Sequence, residues 1–246
     1  MAGDWADHEG QTCTVTLEMG ASTVAALDDA GSKLYLMKAV RCDQGGGYPL
    51  VWALTTRFST RATLCWTEEY YAYAATEVAS LTATLRGAGA QRISLGQTLV
   101  VGRNAVPELD PDHGIPGTVV ITNPTTSPLS CGLSQRAPLS GSTPAPVCVF
   151  PLHGGGNLDL IIPLPRIVLM FATVPLPPGS AVPHVYGPTV LVDLARANPA
   201  NLRYDIDKGW SGGGTAADLV GWGELAERLV LPTRSPPVGD RLSACL

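Results

Sequence analysis

Short apolar segments, separated by turn-forming residues, constrain the fold of this chain more than any other feature. Residues 12–18 (TCTVTLE) alternate strictly, with Cys13, Val15 and Leu17 on one face, and a period of two is typical of a half-buried strand. The chain has 27 Gly and 21 Pro among its 246 residues, so turns between such segments are frequent. Further strands are predicted at 34–40, 50–55, 62–66, 70–74, 81–85, 93–101, 118–122, 147–152, 158–162, 167–173, 190–194 and 202–206. The pattern predicts an all-β fold, a β-sandwich or a barrel-like structure. Its expected strand content exceeds about 35%, against the usual 20–25%.

One C-terminal helix is predicted over residues 215–231. Leu219, Trp222 and Leu229 fall on one face at helical spacing, as in an amphipathic helix that packs on a sheet. Thr215 can cap the amino end, and Asp218 three residues later completes a weak capping box.

An internal repeat is a second organisational prediction. Triple-glycine runs at 45–47 and 154–156 are each preceded and followed by apolar strands in the same order, and such a repeat indicates duplication. The alternative is a chance similarity between short strands of a β-rich chain. The pattern predicts two β-subdomains, residues 1–103 and 118–246. The polar, turn-rich segment 104–117 would be the linker between them.

Charge and composition exclude several functions. The chain has 16 Lys plus Arg against 21 Asp plus Glu, a net charge of −5, which argues against nucleic-acid binding because that requires clustered cations. The amino terminus is polar and acidic, which predicts no secretory signal. Prolines interrupt the most apolar stretch, 158–177, so no transmembrane segment is predicted. We therefore expect a cytoplasmic protein with reduced cysteines.

Motifs for catalysis by a cofactor or a metal are missing from the sequence. It has no GxxxxGK[ST], HExxH or CxxC pattern. The fragment Asp110-Pro111-Asp112-His113 has side chains that could bind a cation, but we interpret it as a turn. The sequence predicts neither a metal site nor a cofactor.

The segment WTEEYYAY, residues 66–73, is the main candidate site, and we call it the aromatic–acidic segment. Aromatic rings stack on sugars or planar ligands, while carboxylates accept hydroxyl protons or transfer protons. The alternative is an aromatic core strand with exposed acids in a turn. The candidate catalytic residues are Glu68 and Glu69, and the candidate ligand-binding residues are Trp66, Tyr70, Tyr71 and Tyr73.

A second cluster, Asp205, Asp207 and Trp210, is also predicted to bind the ligand. Trp210 follows a glycine, which suggests a position on an exposed turn. From there it could close over the aromatic–acidic segment.

These features lead to a binding protein as the first functional hypothesis. It would be a soluble β-sandwich that holds a small hydroxyl-rich molecule or a glycan, and it could form a homodimer. The alternative is a cofactor-independent enzyme, of the cyclase or isomerase type, that acts on an apolar small molecule. A membrane-active β-protein is a third hypothesis, which the acidic charge weakens.

Overall fold

The computed structural model describes residues 9–43, 46–76, 90–102, 106–139, 143–223 and 225–233. Strands make up 53% of the structure and helices 8%, which confirms the predicted all-β class. No helix in these ranges is long and apolar enough to cross a membrane. The predicted strand at 81–85 and Cys245 lie outside the described residues.

Nineteen strands and two α-helices follow one another along these residues. The first part contains β1 (Thr12–Met19), α1 (Ala21–Asp29), β2 (Lys33–Cys42), β3 (Tyr48–Pro49), β4 (Ala53–Thr55), β5 (Arg61–Thr67), β6 (Tyr70–Ala75), β7 (Gln91–Ile93), β8 (Gln97–Val101) and β9 (Pro107–Asp110). The second part contains β10 (Val119–Asn123), β11 (Leu129–Gln135), β12 (Ala145–Pro146), β13 (Cys148–Leu152), β14 (Asn157–Ala172), β15 (Thr189–Asp193), β16 (Ala200–Asp205), β17 (Gly209–Gly212), β18 (Ala217–Leu219), α2 (Leu225–Leu229) and β19 (Val230–Pro232).

The strands form three sheets around a shared core. A four-stranded sheet has the order β17-β16-β1-β5, and a six-stranded sheet has β3-β13-β11-β6-β7 with β12 beside β11. A nine-stranded sheet has β18-β15-β14-β10-β8-β9, with β2, β4 and β19 attached through β2. Buried Leu17, Leu133 and Leu169 come from the three different sheets and belong to one apolar cluster.

Strand pairing differs between the two parts of the chain that the predicted duplication would relate. The supposed counterparts β1 and β10 have different surroundings, because β1 pairs with β16 and β5, whereas β10 pairs with β14 and β8. Each sheet takes strands from both sides of residues 104–117. The two β-subdomains, residues 1–103 and 118–246, and their duplication stay a prediction.

The C-terminal helix is shorter than predicted. Residues Ala217–Leu219 form β18, which pairs with Val190–Val192 of β15, and only Leu225–Leu229 are α-helical. Edge pairing in the sheet satisfies the backbone groups of β18, and Gly223 adopts a positive φ of 87° just before α2. Trp222, predicted to lie on the buried helix face, is 82% exposed. The nine-residue helix α1 was missed by the sequence prediction.

The longest strand, β14, unites two predicted strands and carries one wall of the site described below. Its pairing with β2 is irregular between Pro163 and Ile167, where prolines without an N–H are tolerated at a bulge. Its first residues pair with β10 and its later residues with β15. Asp159 on this strand faces the interior and is 0% exposed.

Candidate functional site

The aromatic–acidic segment turns one of its two faces into the core. Trp66, Glu68 and Tyr70 alternate along the chain at the end of β5 and the start of β6, and all three are at most 4% exposed. Tyr73 is also buried, and its hydroxyl donates a hydrogen bond to the carbonyl oxygen of Cys148 at 2.7 Å. These four side chains are closed to solvent in this structure, and their part in a ligand site stays a prediction.

The carboxylate of Glu68 is saturated with hydrogen bonds. Lys38 Nζ lies 2.6 Å from Oε1 and 2.7 Å from Oε2. Further donors are Trp66 Nε1 at 2.8 Å, Gln135 Nε2 at 2.9 Å, Tyr70 Oη at 3.1 Å and Cys13 Sγ at 3.5 Å. These donors come from all three sheets, so the Glu68 network joins the sheets where they meet.

Electrostatics keep the buried Glu68 ionised. Burial by itself raises the pKa of a carboxyl group, but the ammonium of Lys38 and the hydrogen bonds from Trp66 and Gln135 outweigh burial and hold the pKa of Glu68 below its usual value. Lys38 Nζ also lies 5.5 Å from the ring centroids of Trp52 and Trp66. All of these hydrogen-bond partners belong to the protein itself, so the surroundings of Glu68 indicate a structural role. Sequence reasoning missed Lys38, the cation of this ion pair.

The other face of the aromatic–acidic segment reaches the surface. Glu69 is half-buried, and its two carboxylate oxygens lie 3.6 Å from Arg92 and Arg136. The guanidinium of Arg136 also lies 5.7 Å from the ring centroid of the half-buried Tyr71. Among the candidate site residues of this segment, Glu69 and Tyr71 are therefore the two with partly exposed side chains.

The second predicted cluster forms a turn and a core contact. Asp205 Oδ1 accepts hydrogen bonds from the backbone N–H groups of Asp207 and Lys208, at 3.1 and 3.0 Å, and closes the turn between β16 and β17. Trp210 is only 8% exposed. Its ring stacks on Phe171 at 5.3 Å and packs on Tyr204 at 4.9 Å. Trp210 is thus held by aromatic neighbours in the core, whereas the sequence placed it on an exposed turn.

A groove of about 400 Å³ lies on the outer face of the nine-stranded sheet, and we call it the outer groove. Thr98, Val120 and Leu160 stand side by side on β8, β10 and β14, because Val120 pairs with both of the others. Thr122 and Leu158 form the next row, and Ile115 also lines the groove. The floor is thus aliphatic with two hydroxyl groups, while the alternate residues of the same strands face the core.

His113 is among the residues that line the outer groove, and its ring is 83% exposed. Its Nδ1 lies 3.0 and 3.1 Å from the two carboxylate oxygens of Asp110. The hydrogen bond and charge of Asp110 raise the pKa of His113, and the same hydrogen bond lowers the pKa of Asp110. Because Nδ1 is held by the carboxylate, Nε2 is the ring nitrogen that can meet a ligand.

The His113 segment is held against β8 by close backbone packing. A Cβ atom at Gly114 would lie 2.0 Å from the carbonyl oxygen of Gly96, so the approach requires glycine. Thr98 Oγ1 donates a hydrogen bond to the carbonyl oxygen of His113. Asp110 Oδ1 also accepts from the N–H of Asp112 at 3.2 Å, which makes this fragment a turn, as predicted. No pattern in the sequence predicted that this turn lies beside an apolar groove.

One group of side chains in the described residues has the composition of a metal site. Ligand atoms of Cys42, Asp43 and Asp159 all lie within 4.8 Å of one another. Cys42 and Asp159 are buried, and Asp43 is exposed. The sequence prediction missed this group, because β2 and β14 become neighbours only through sheet pairing.

Comparison with known proteins finds no matching family model, no similar curated protein and no similar solved structure.

Proposed function

We propose that this protein binds a small, mainly apolar molecule in the outer groove, with a hydroxyl group of the ligand donating to Nε2 of His113. The observation that carries the proposal is an aliphatic groove whose lining includes His113, a residue with its imidazole oriented by Asp110. Small-molecule sites are typically concave, about 300–1,000 Å³, and mostly apolar with a few placed polar groups. The outer groove, at about 400 Å³, falls within that range.

The lining favours an apolar ligand over a sugar. Leu158, Leu160 and Ile115 provide aliphatic surface, whereas sugars are held mainly by aromatic stacking and many polar contacts. Leu158 and Ile115 are 42% and 48% exposed, and covering such side chains with a ligand removes apolar surface from water. The proposal keeps the binding function expected from the sequence and moves it to another face of the protein.

The binding proposal can be tested with a matched pair of probes. Naphthol and methoxynaphthalene have the same ring system, but only naphthol can donate a hydrogen bond to His113. We expect isothermal titration calorimetry to show binding of both, with naphthol tighter by up to about tenfold, since one net hydrogen bond contributes about 0.5–1.5 kcal/mol.

Two variants locate that binding. Leu158→Asp places a charge in the aliphatic wall and should abolish binding of both probes. Leu219→Asp is the control, because Leu219 is also exposed, at 68%, and lies on β18. Equal affinity of both variants and the wild type would place the probes elsewhere and overturn the proposal.

The second candidate is the cofactor-independent enzyme of cyclase or isomerase type, and the Asp110–His113 pair favours it. A carboxylate that orients an imidazole at Nδ1 leaves Nε2 as a general base. Its substrate would be an apolar molecule with an acidic C–H or O–H bond. The two candidates differ in outcome, since His113→Asn would stop turnover in an enzyme but only weaken ligand affinity in a binding protein.

A glycan ligand remains a separate hypothesis that now depends on Glu69 and Tyr71. Tyr71→Ala should then remove binding on a glycan array while the free energy of unfolding changes little. Tyr186→Ala is the control, because Tyr186 is a 38% exposed tyrosine that lies outside this segment. Unchanged glycan binding in Tyr71→Ala would end that hypothesis.

A further inference from the structure

Cys42, Asp43 and Asp159 meet where the end of β2 lies beside the start of β14, and we call them the Cys42 cluster. Cys42 pairs with Ile161 in the nine-stranded sheet. Next to this pair, two hydrogen bonds join Asp43 to Leu160 of β14. Asp43 Oδ1 accepts from the Leu160 N–H at 2.8 Å, and the Asp43 N–H donates to the Leu160 carbonyl oxygen at 3.3 Å. The backbone therefore positions the cluster before any ion is bound.

One oxygen of the cluster lacks a partner. Asp159 is 0% exposed, and its Oδ2 accepts a hydrogen bond from Cys131 Sγ at 3.1 Å. Its Oδ1 is buried and has no hydrogen-bond partner within the described part of the chain. Buried carboxylate oxygens are normally hydrogen-bonded or bound to a metal, so this oxygen is a candidate ligand for a cation.

The donor set indicates which cation fits. A thiolate together with carboxylates suits zinc, whereas magnesium and calcium prefer oxygen ligands alone. Zinc accepts four ligands in a small tetrahedral site. Cys42 Sγ lies 3.8 Å from Asp43 Oδ1, and all three ligand atoms lie within 4.8 Å of one another.

We propose that Cys42 Sγ, one oxygen of Asp43 and one oxygen of Asp159 bind a single zinc ion. A water molecule takes the fourth position, and the exposed Asp43 forms the entry side. Cys131 keeps its proton and orients Asp159, as partners of metal-binding carboxylates commonly do. On binding, the Cys42 thiol loses one proton to solvent, so zinc uptake releases a proton.

The first test is zinc binding by the whole chain after treatment with a chelator. Isothermal titration with zinc chloride should give one ion per chain, and titration with cobalt chloride should produce a thiolate-to-cobalt charge-transfer band. Absence of zinc binding by the wild-type chain would overturn the proposal.

Variants assign the ligands. Loss of a residue that hydrogen-bonds to a metal ligand typically weakens metal binding about 10–100-fold. Asp159→Asn and Cys42→Ser each remove a ligand and should weaken zinc binding by at least that factor. Cys42→Ser should also lose the cobalt band. Cys65→Ser is the matched control, because Cys65 is an exposed cysteine on β5. A cobalt band that persists in Cys42→Ser, or equal zinc affinity in all variants, would contradict the assignment.

A third variant tests the proposal at an exposed residue, where a substitution should not prevent folding. Asp43 is exposed, so Asp43→Asn should fold, keep the cobalt band from Cys42 and bind zinc more weakly than the wild type. Wild-type zinc affinity in a folded Asp43→Asn protein would remove Asp43 from the site and overturn the three-ligand proposal.

Discussion

The ammonium of Lys38 lies 2.6 Å from Glu68 Oε1, and both side chains are at most 2% exposed. Lys38 belongs to the nine-stranded sheet, and Glu68 follows β5 of the four-stranded sheet. The ion pair therefore connects two layers of the fold, and Gln135 of the six-stranded sheet adds the third through its bond to Glu68.

Removing one partner of this ion pair should strongly destabilise the protein. Lys38→Met leaves the Glu68 carboxylate buried without its cation, and breaking buried pairs in this way costs about 3–5 kcal/mol. The free energy of unfolding, measured with urea, should fall by that amount. The control is Arg203→Met, which breaks an exposed pair with Glu18 and should cost at most about 1 kcal/mol. Equal losses in the two variants would show that burial does not matter here.

Acid should weaken the Glu68 network. The pKa of Glu68 is lower in the folded protein than in the unfolded chain, so its contribution to stability is present above the unfolded pKa of about 4.3. That contribution is lost as pH falls through the lower folded pKa. Below about pH 4.3, the free energy of unfolding of the wild type should therefore fall more steeply than that of Glu68→Gln. Parallel pH profiles for the two proteins would contradict the prediction.

Under the proposed function, the binding of naphthol should depend on the protonation state of His113. Only neutral His113 can accept at Nε2, and its pKa lies above the ordinary value of 6.5 because of Asp110, with a smaller effect of Asp112. Affinity should therefore decline as pH falls through a midpoint above 6.5. Asp110→Asn should move the midpoint to lower pH, and methoxynaphthalene should show a flat profile. Tighter naphthol binding at low pH would refute the acceptor role.

Cysteine reactivity should separate into exposed and buried classes. The five cysteines of the described residues form no disulfide, and among them Cys65 is exposed. Burial raises the pKa of Cys13 and of Cys148 to about 12, and thiols react as thiolates. In a Cys245→Ser background, an aromatic disulfide reagent should therefore modify Cys65 first in the native protein.

A count of thiols completes that measurement. The denatured wild-type chain should show six free thiols, one for each cysteine in the sequence. In the Cys245→Ser background, adding Cys65→Ser should remove the fast phase of thiol modification, which we assign to Cys65. A fast phase that survives this substitution, or fewer than six thiols after denaturation, would contradict the predicted reduced state.

Local periodicity was sufficient to predict much of the fold. Strands β1, β2, β5 and β6 lie at or within a few residues of their predicted positions, because alternation of buried and exposed side chains is a property of each strand alone. The predicted helix failed at Ala217–Leu219, where pairing with β15 replaced helical hydrogen bonds. Local preference is weak enough for such tertiary pairing to override it.

The sequence by itself determined the all-β class, the turns and the unusual density of aromatic and acidic groups in residues 66–73. Only the tertiary structure decided what those groups do, because Lys38 and Gln135 reach Glu68 from other sheets and turn a candidate catalytic carboxylate into a core ion pair. The same applies to Cys42 and Asp159, which lie far apart in the sequence and meet through pairing of β2 with β14. Which side chains converge depends on strand order and register, and these arise from long-range packing that no local pattern records.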